Sequence, residues 1–273
     1  MLKKLRKFLQ FEAIQPLVYL VNKPAGFSSF TIVDIFKKIL DDKVGHAGTL
    51  DPLASGELLL LTGHTTKLTN TFITKPKQYQ AIFVIGLHSD SYDLETPITL
   101  FEQYSTLNIN TKIISKILTI LKTPKPIKVS GYSAIKQAGT PLYLSKKSVY
   151  KEMTILNYKI ISAQILNKDG VIKKILKLTS KIENNKILYF KISKEFDIKP
   201  RSQQIKLFEN LLLKMNQNIN ILKNSTNVKD LFVIKTNLKV TKGTYVRSIA
   251  QELEKHLNIP TITLSIKRIN SYK

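Results

Sequence analysis

One carboxylate stands in the middle of the chain's most unusual stretch, Gly45-His46-Ala47-Gly48-Thr49-Leu50-Asp51-Pro52-Leu53-Ala54-Ser55-Gly56. Its three glycines allow left-handed backbone and the close approach of another segment. Pro52 stiffens the residue that bears the acid. An apolar run, Glu57 to Leu61, follows at once and reads as a buried strand, so Asp51 would sit in a constrained loop at a strand end. The ordinary alternative is that Asp51 serves a turn, since Asp-Pro is a common turn former. Phosphate-cradling chemistry does not fit: there is no GxxxxGK[ST], and no helix pattern follows the glycines. A dinucleotide fingerprint is absent too. The four histidines, His46, His64, His88 and His256, show no HxxxH or HExxH spacing, so no metal site is expected. Cysteine is missing altogether, which excludes disulfides, zinc-thiolate sites and thiol nucleophiles.

The elements that must carry this loop can be read from apolar spacing. Leu17 to Val21 reads as a strand ending in the turn Asn22-Lys23-Pro24-Ala25-Gly26. Ser28 or Ser29 can cap a helix with apolar residues at Ile32, Val33, Ile35, Phe36, Ile39 and Leu40. A loop from Asp41 to Gly56 leads to the strand 57–61, and a polar stretch, His64 to Thr71, leads to a strand over Tyr79–Leu87. Ile113 to Leu121 has the spacing of a helix, which Pro124 and Pro126 end. A loop or hairpin is expected over Lys128–Pro141, and strands over Thr154–Leu166, Val171–Leu178 and Ile187–Ile192. Gln203 to Met215 reads as a helix, Asn216 to Lys229 as a surface loop, and Phe232 to Val240 as a strand. A helix from Thr244 to Leu257 and a strand from Thr261 to Ile269 close the chain. Without a regular βαβ rhythm, this mixture predicts an α+β fold with a largely antiparallel sheet, in one domain covering 1–273.

Composition sets the class of partner. The chain has 273 residues, with 43 Lys+Arg against 19 Asp+Glu and a formal net charge of +24. Such an excess favours polyanions, because neutralising phosphates releases counterions. Part of it is compositional, since Lys is spread along the whole chain beside many Ile and Asn. The basic start, MLKKLRKFLQFEAIQPLVYL, lacks the uncharged apolar run and cleavage site of a signal peptide. It reads as a basic helical lead-in. No stretch reaches the roughly 20 apolar residues that span a bilayer, and the expected location is the cytoplasm.

Five segments, in order, carry a resemblance. GHAGTLDPLASGELLLLTGHTTKLT resembles the signature of the TruB family of tRNA pseudouridine synthases, whose catalytic Asp lies in this loop. Asn22-Lys23-Pro24-Ala25-Gly26-Phe27-Ser28-Ser29 resembles its NKPxGxTS opening, and Lys77-Gln78-Tyr79 its KxY strand. Tyr132-Ser133-Ala134-Ile135-Lys136, followed by Gly139, Pro141, Leu142 and Tyr143, is similar to YSAxKxxGxxLY. Lys242-Gly243-Thr244-Tyr245-Val246-Arg247 is similar to KGTYIR. The likeness runs from about Val18 to Arg268. It departs at Ile127–Gly131, where the family has proline-proline-methionine, and at 168–231, a Lys/Asn-rich insertion. The chain also stops near the strand after which many members continue into an RNA-binding PUA domain, so none is expected here.

The resemblance implies the pseudouridine synthase fold and isomerisation of the T-loop uridine at tRNA position 55, without cofactor or metal. It makes Asp51 the nucleophile or the stabiliser of a glycal-type intermediate, and Arg247 its charge partner. Tyr79 would stack on the flipped uracil and assist the proton transfer, and Tyr245 would line the uracil pocket. His46 would fill the space that the flipped base leaves, and Lys23 would support the loop or contact backbone. Gly48, Thr49 and Leu50 complete the substrate-binding set. tRNA, through its T-stem-loop, is the expected partner of a monomer that needs no other protein. Two other readings remain: an RNA-binding module or tRNA chaperone without isomerase activity, against which the intact Asp51, Tyr79 and Arg247 speak, and the catalytic subunit of a guide-RNA particle.

Overall fold

The computed structural model describes residues 1–101, 109–129, 136–137, 140–141, 149–226 and 230–272. Two compact units emerge: Met1–Lys77 with Leu178–Leu213 and Lys267–Lys273, and Gln78–Lys177 with Lys214–Ile266.

The first unit opens with a single helical turn, α1 (Leu2–Leu5), and then β1 (Phe11–Gln15) rather than a helical lead-in. Strand β2 (Val18–Lys23) pairs antiparallel with β1. Helix α2 (Ser29–Leu40) begins where Ser28 accepts the Thr31 N–H at 3.0 Å, and ends on Asp41 in the left-handed region. Its apolar positions are the ones expected from spacing, with Ile32, Ile35 and Phe36 buried. The segment 41–56 is not all loop: β3 (Val44–His46) and the start of β4 (Ser55–Thr62) lie in it, and β4 runs antiparallel to both β2 and β3. Residues 63–68 form a 3-10 turn leading into α3 (Thr69–Ile73). Val18, Leu20, Ala47, Leu59 and Leu61 form one apolar cluster, with Phe72 and Tyr272 packed on it.

In the second unit, β5 (Lys77–Ile85) turns at Gly86 into β6 (Leu87–His88), which pairs with β7 (Thr99–Leu100). Helix α4 (Thr111–Ile120) is capped by Asn110, whose side chain accepts two backbone N–H groups. It buries Ile114, Ile117 and Leu118, while Ile113 and Ile120 stay exposed. Strands β8 (Lys125–Val129) and β11 (Val149–Met153) pair antiparallel, and the short β9 (Lys136–Gln137) pairs with β10 (Thr140–Pro141). Of the YSAxK segment and the residues after it, Tyr132 to Ile135, Gly139, Leu142 and Tyr143 lie outside the described residues. β12 (Ile155–Asn167) and β13 (Asp230–Val240) form a long antiparallel pair. With β5 and β14 (Thr261–Arg268), the strand order is β14-β5-β13-β12. In the first unit the order is β1-β2-β4, and the last two residues of β14 pair parallel to Ser55 and Gly56. The strands are thus mixed but mostly antiparallel, as expected.

The largest correction concerns residues 168–229, which join β12 to β13. The strands expected at Val171–Leu178 and Ile187–Ile192 are parts of one helix, α5 (Lys168–Glu195), and the loop expected from Asn216 is helical as far as Asn224 in α6 (Ser202–Asn224). Buried positions along α5, namely Val171, Ile172, Ile175, Thr179, Ile182, Tyr189 and Ile192, recur at helical intervals. Short windows rich in β-branched residues hide that period. Residues 227–229 lie outside the described residues. A last helix, α7 (Val246–Leu257), starts two residues later than expected, on Tyr245 as its N-cap.

Candidate active site

In the first unit the carboxylate loop is built from β3, the 47–54 segment and the start of β4. Asp51 is partly buried, between the buried Leu50 and the buried Leu53 and Ala54. Its neighbours on both sides are tied to the 23–29 segment. Leu50 donates its N–H to Ser29 Oγ at 2.9 Å, and the same hydroxyl donates to the Leu50 carbonyl at 3.1 Å. The Pro52 carbonyl accepts the Gly26 N–H at 2.8 Å. Lys23, fully buried, donates its ammonium to the carbonyls of Phe27 at 2.6 Å, Pro24 at 3.2 Å and Pro52 at 3.4 Å. The NKPAG turn therefore locks the loop rather than merely preceding it. Gly56 is required where β4 begins: its φ is +101°, and a Cβ there would lie 2.2 Å from the Arg268 carbonyl oxygen.

From behind, Arg268 donates to the Gly48 carbonyl at 3.0 Å and to that of Glu57, and Tyr272 donates its hydroxyl to Ala47. Lys77 stacks over the Tyr272 ring, 4.8 Å from its centre. Its ammonium also donates to Phe72 and Lys75. Burial, helped by the charge of Arg268, pulls the Lys77 pKa down to about 8. His46 sits at the end of β3, its Nδ1 buried with no hydrogen-bond partner among the described residues. Burial first, then Arg268, lower its pKa, so its ring is neutral at physiological pH. Thr49 is exposed, and Gly48 partly so.

The second unit holds the other site residues of the sequence reading. Tyr79, 8% exposed, lies on the inward face of β5. Tyr245 is partly exposed at the start of α7. Arg247, in the first turn of that helix, is buried, with Nε 3.6 Å from the Asp93 carboxylate and a guanidinium N–H donated to the Ser91 carbonyl at 3.1 Å. Asp93 is in turn fixed by Ser91 Oγ at 2.6 Å and the Glu95 N–H at 2.9 Å. Sequence reading missed Asp93, Ser91, Arg268 and Tyr272, because their contacts with Arg247, Gly48 and Ala47 cross long stretches of chain and no spacing marks them.

Taken unit by unit, Lys23, His46, Gly48, Thr49, Leu50 and Asp51 come together in the first, and Tyr79, Tyr245 and Arg247 belong to the second. The first unit thus presents a partly exposed carboxylate in a loop bonded on both flanks, and the second a buried arginine anchored on a carboxylate. The family model described as TruB family pseudouridylate synthase (N terminal domain) matches residues 37–186, Asp51 and Tyr79 among them. The chain belongs to this family. The TruB-family relatives it resembles include the tRNA pseudouridine synthase B of Endomicrobium trichonymphae, 36% identical over 158 residues, which cover 57% of this chain and 68% of that protein. That of Flavobacterium johnsoniae is 39% identical over 140 residues, 48% of this chain and 60% of that protein. That of Onion yellows phytoplasma is 29% identical over 252 residues, 92% of this chain and 67% of that protein. The chain thus spans between about half and two thirds of the curated relatives it matches.

Proposed function

We propose that this TruB-family chain converts the T-loop uridine of tRNA, at position 55, to pseudouridine. The observation that carries the proposal is Asp51, held partly exposed by backbone bonds on both of its flanks in the loop that resembles the family's catalytic motif. In the reaction the C1′–N1 bond breaks, the uracil turns, C5 bonds to C1′, the C5 proton is lost, and N1 ends protonated, so that no proton is gained or lost overall. Asp51 acts near C1′ or C6, as nucleophile or as the stabiliser of a glycal-type intermediate. By the family resemblance Arg247 is assigned as the charge partner of the carboxylate, Tyr79 stacks on the base, and Tyr245 lines its pocket. His46 fills the place of the flipped nucleotide as a neutral ring. Extruding a base costs a few kcal/mol, least where it is already unstacked in a loop, and an RNA loop of defined shape meets that demand. Neither redox change nor metal enters these steps. The protein acts as a monomer in the cytoplasm.

Chemical mapping of pseudouridine in a tRNA transcript after incubation with the protein tests this directly. Modification at the T-loop uridine alone is the expected result. Modification elsewhere would overturn the T-loop assignment, and none with binding intact would transfer the protein to the RNA-binding or chaperone class.

A further inference from the structure

Antiparallel neighbours such as β12 and β13 are commonly joined by a few residues. Here residues 168–229 join them, and within that stretch α5 and α6 run side by side in opposite directions. Tyr189 lies 6.2 Å from Phe208, and Lys186 meets Glu209 at 3.3 Å. Part of this pair belongs to the first unit, and there it grips the NKPAG turn. Gln204, 2% exposed, donates Nε2 to the Gly26 carbonyl at 2.8 Å, while its Oε1 accepts the Ser28 N–H at 3.1 Å and the Thr31 hydroxyl at 2.5 Å. The Ser28 N–H can only donate, so the amide has one orientation. Asn185 donates to the Ala25 carbonyl at 2.8 Å. Phe208 packs so closely on Gly26 that a Cβ there would lie 2.7 Å from its ring, and Phe27 meets the edges of Tyr189 and Phe208.

The gripped segment is the one that binds the residues on either side of Asp51. Gly26 and Lys23 hold Pro52, and Ser29 holds Leu50. We infer that Gln204 and Asn185 are positioning residues, through which the α5–α6 pair sets the place of Asp51 without touching substrate. Gln204 lies beyond the residues matched by the family model. A misplacement of about 1 Å at a reacting group costs roughly a hundredfold in rate, and a buried amide with three bonds resists it. The inference rests on the proposed isomerase activity for its kinetic test and on the loop geometry for its structural one.

The test compares Gln204→Met, Asn185→Ala and, as a control, Phe196→Ala. The control weakens packing of Phe196, the residue after α5, on Phe8, where the rings lie 6.3 Å apart. Single-turnover tritium release from C5-labelled tRNA, tRNA affinity, and hydrogen exchange of the peptide covering 45–54 are measured for each. Gln204→Met should lower the single-turnover rate roughly ten- to hundredfold with affinity unchanged, and speed exchange in the loop. Asn185→Ala should do the same more mildly. Phe196→Ala should lower the melting temperature while leaving rate and loop exchange as in the wild type. A folded Gln204→Met with wild-type rate and exchange overturns the inference, as does an equal loss of rate in Phe196→Ala. If Gln204→Met does not fold, Asn185→Ala decides by the same readouts. Should the wild type release no tritium, the activity proposal falls, and loop exchange alone decides between positioning and its absence.

Discussion

Asp51 takes its place from its neighbours: Leu50 bonds to Ser29 through both its N–H and its carbonyl, and the Pro52 carbonyl is held by Gly26 and Lys23. Those bonds involve its neighbours and not its own side chain, so replacing the acid by its amide leaves them in place while removing the negative charge. Asp51→Asn should therefore fold with near wild-type stability and bind tRNA while losing turnover. Arg247 differs in kind. Its guanidinium is buried against Asp93 and Ser91, so it is fixed from its own unit before any substrate arrives. This preorganisation, in which a charge is oriented ahead of the reaction, is the usual source of electrostatic catalysis. The motif residues themselves were legible in the sequence, because glycine, proline and a lone acid in one loop need a special backbone. The anchors Asp93, Arg268 and Tyr272 were not, since each acts across a long stretch of chain and looks locally like any surface acid, base or tyrosine.

At the level of elements, the α5–α6 pair is where sequence reading failed and where the fold adds most. Val171–Leu178 and Ile187–Ile192 are rich in isoleucine, leucine and valine, and over six or eight residues such runs do not distinguish strand from helix. Only the longer series of buried positions, from Val171 through Ile182 to Ile192, shows the helical period. The pair is also pinned by charge. Arg201 donates two bonds of 2.7 Å to the Asp34 carboxylate of α2, and these bonds hold the Asp34 pKa below its ordinary value. A lowered carboxylate pKa stabilises the fold above the unfolded value near 3.8, and that contribution is lost as pH falls through the folded value. Asp34→Asn should thus lower stability at pH 7 by about 1 kcal/mol, since Arg201 is partly exposed. The gap to wild type should close below about pH 4. Denaturant midpoints across that range check it; a gap independent of pH would contradict the assignment. By contrast, β2, β4, β13, α2 and α7 were readable almost to their ends, because each has caps or turn residues beside a clear apolar period.

Over the whole molecule the governing quantity is the formal net charge of +24. A chain so basic should bind tRNA largely through phosphate neutralisation, so affinity should fall more than about a hundredfold between 50 mM and 200 mM salt. A nearly flat plot of log K against log salt would instead assign recognition to uncharged contacts. Affinity and turnover are separable on this account: charge brings the RNA, and the Asp51 loop does the chemistry. The most direct test of that claim is tritium release from tRNA labelled at uracil C5, run with the wild type and Asp51→Asn side by side and with binding measured for both. Release by the wild type alone, at equal affinity, is the predicted result. Comparable release by both proteins would contradict the role of Asp51 and with it the central assignment.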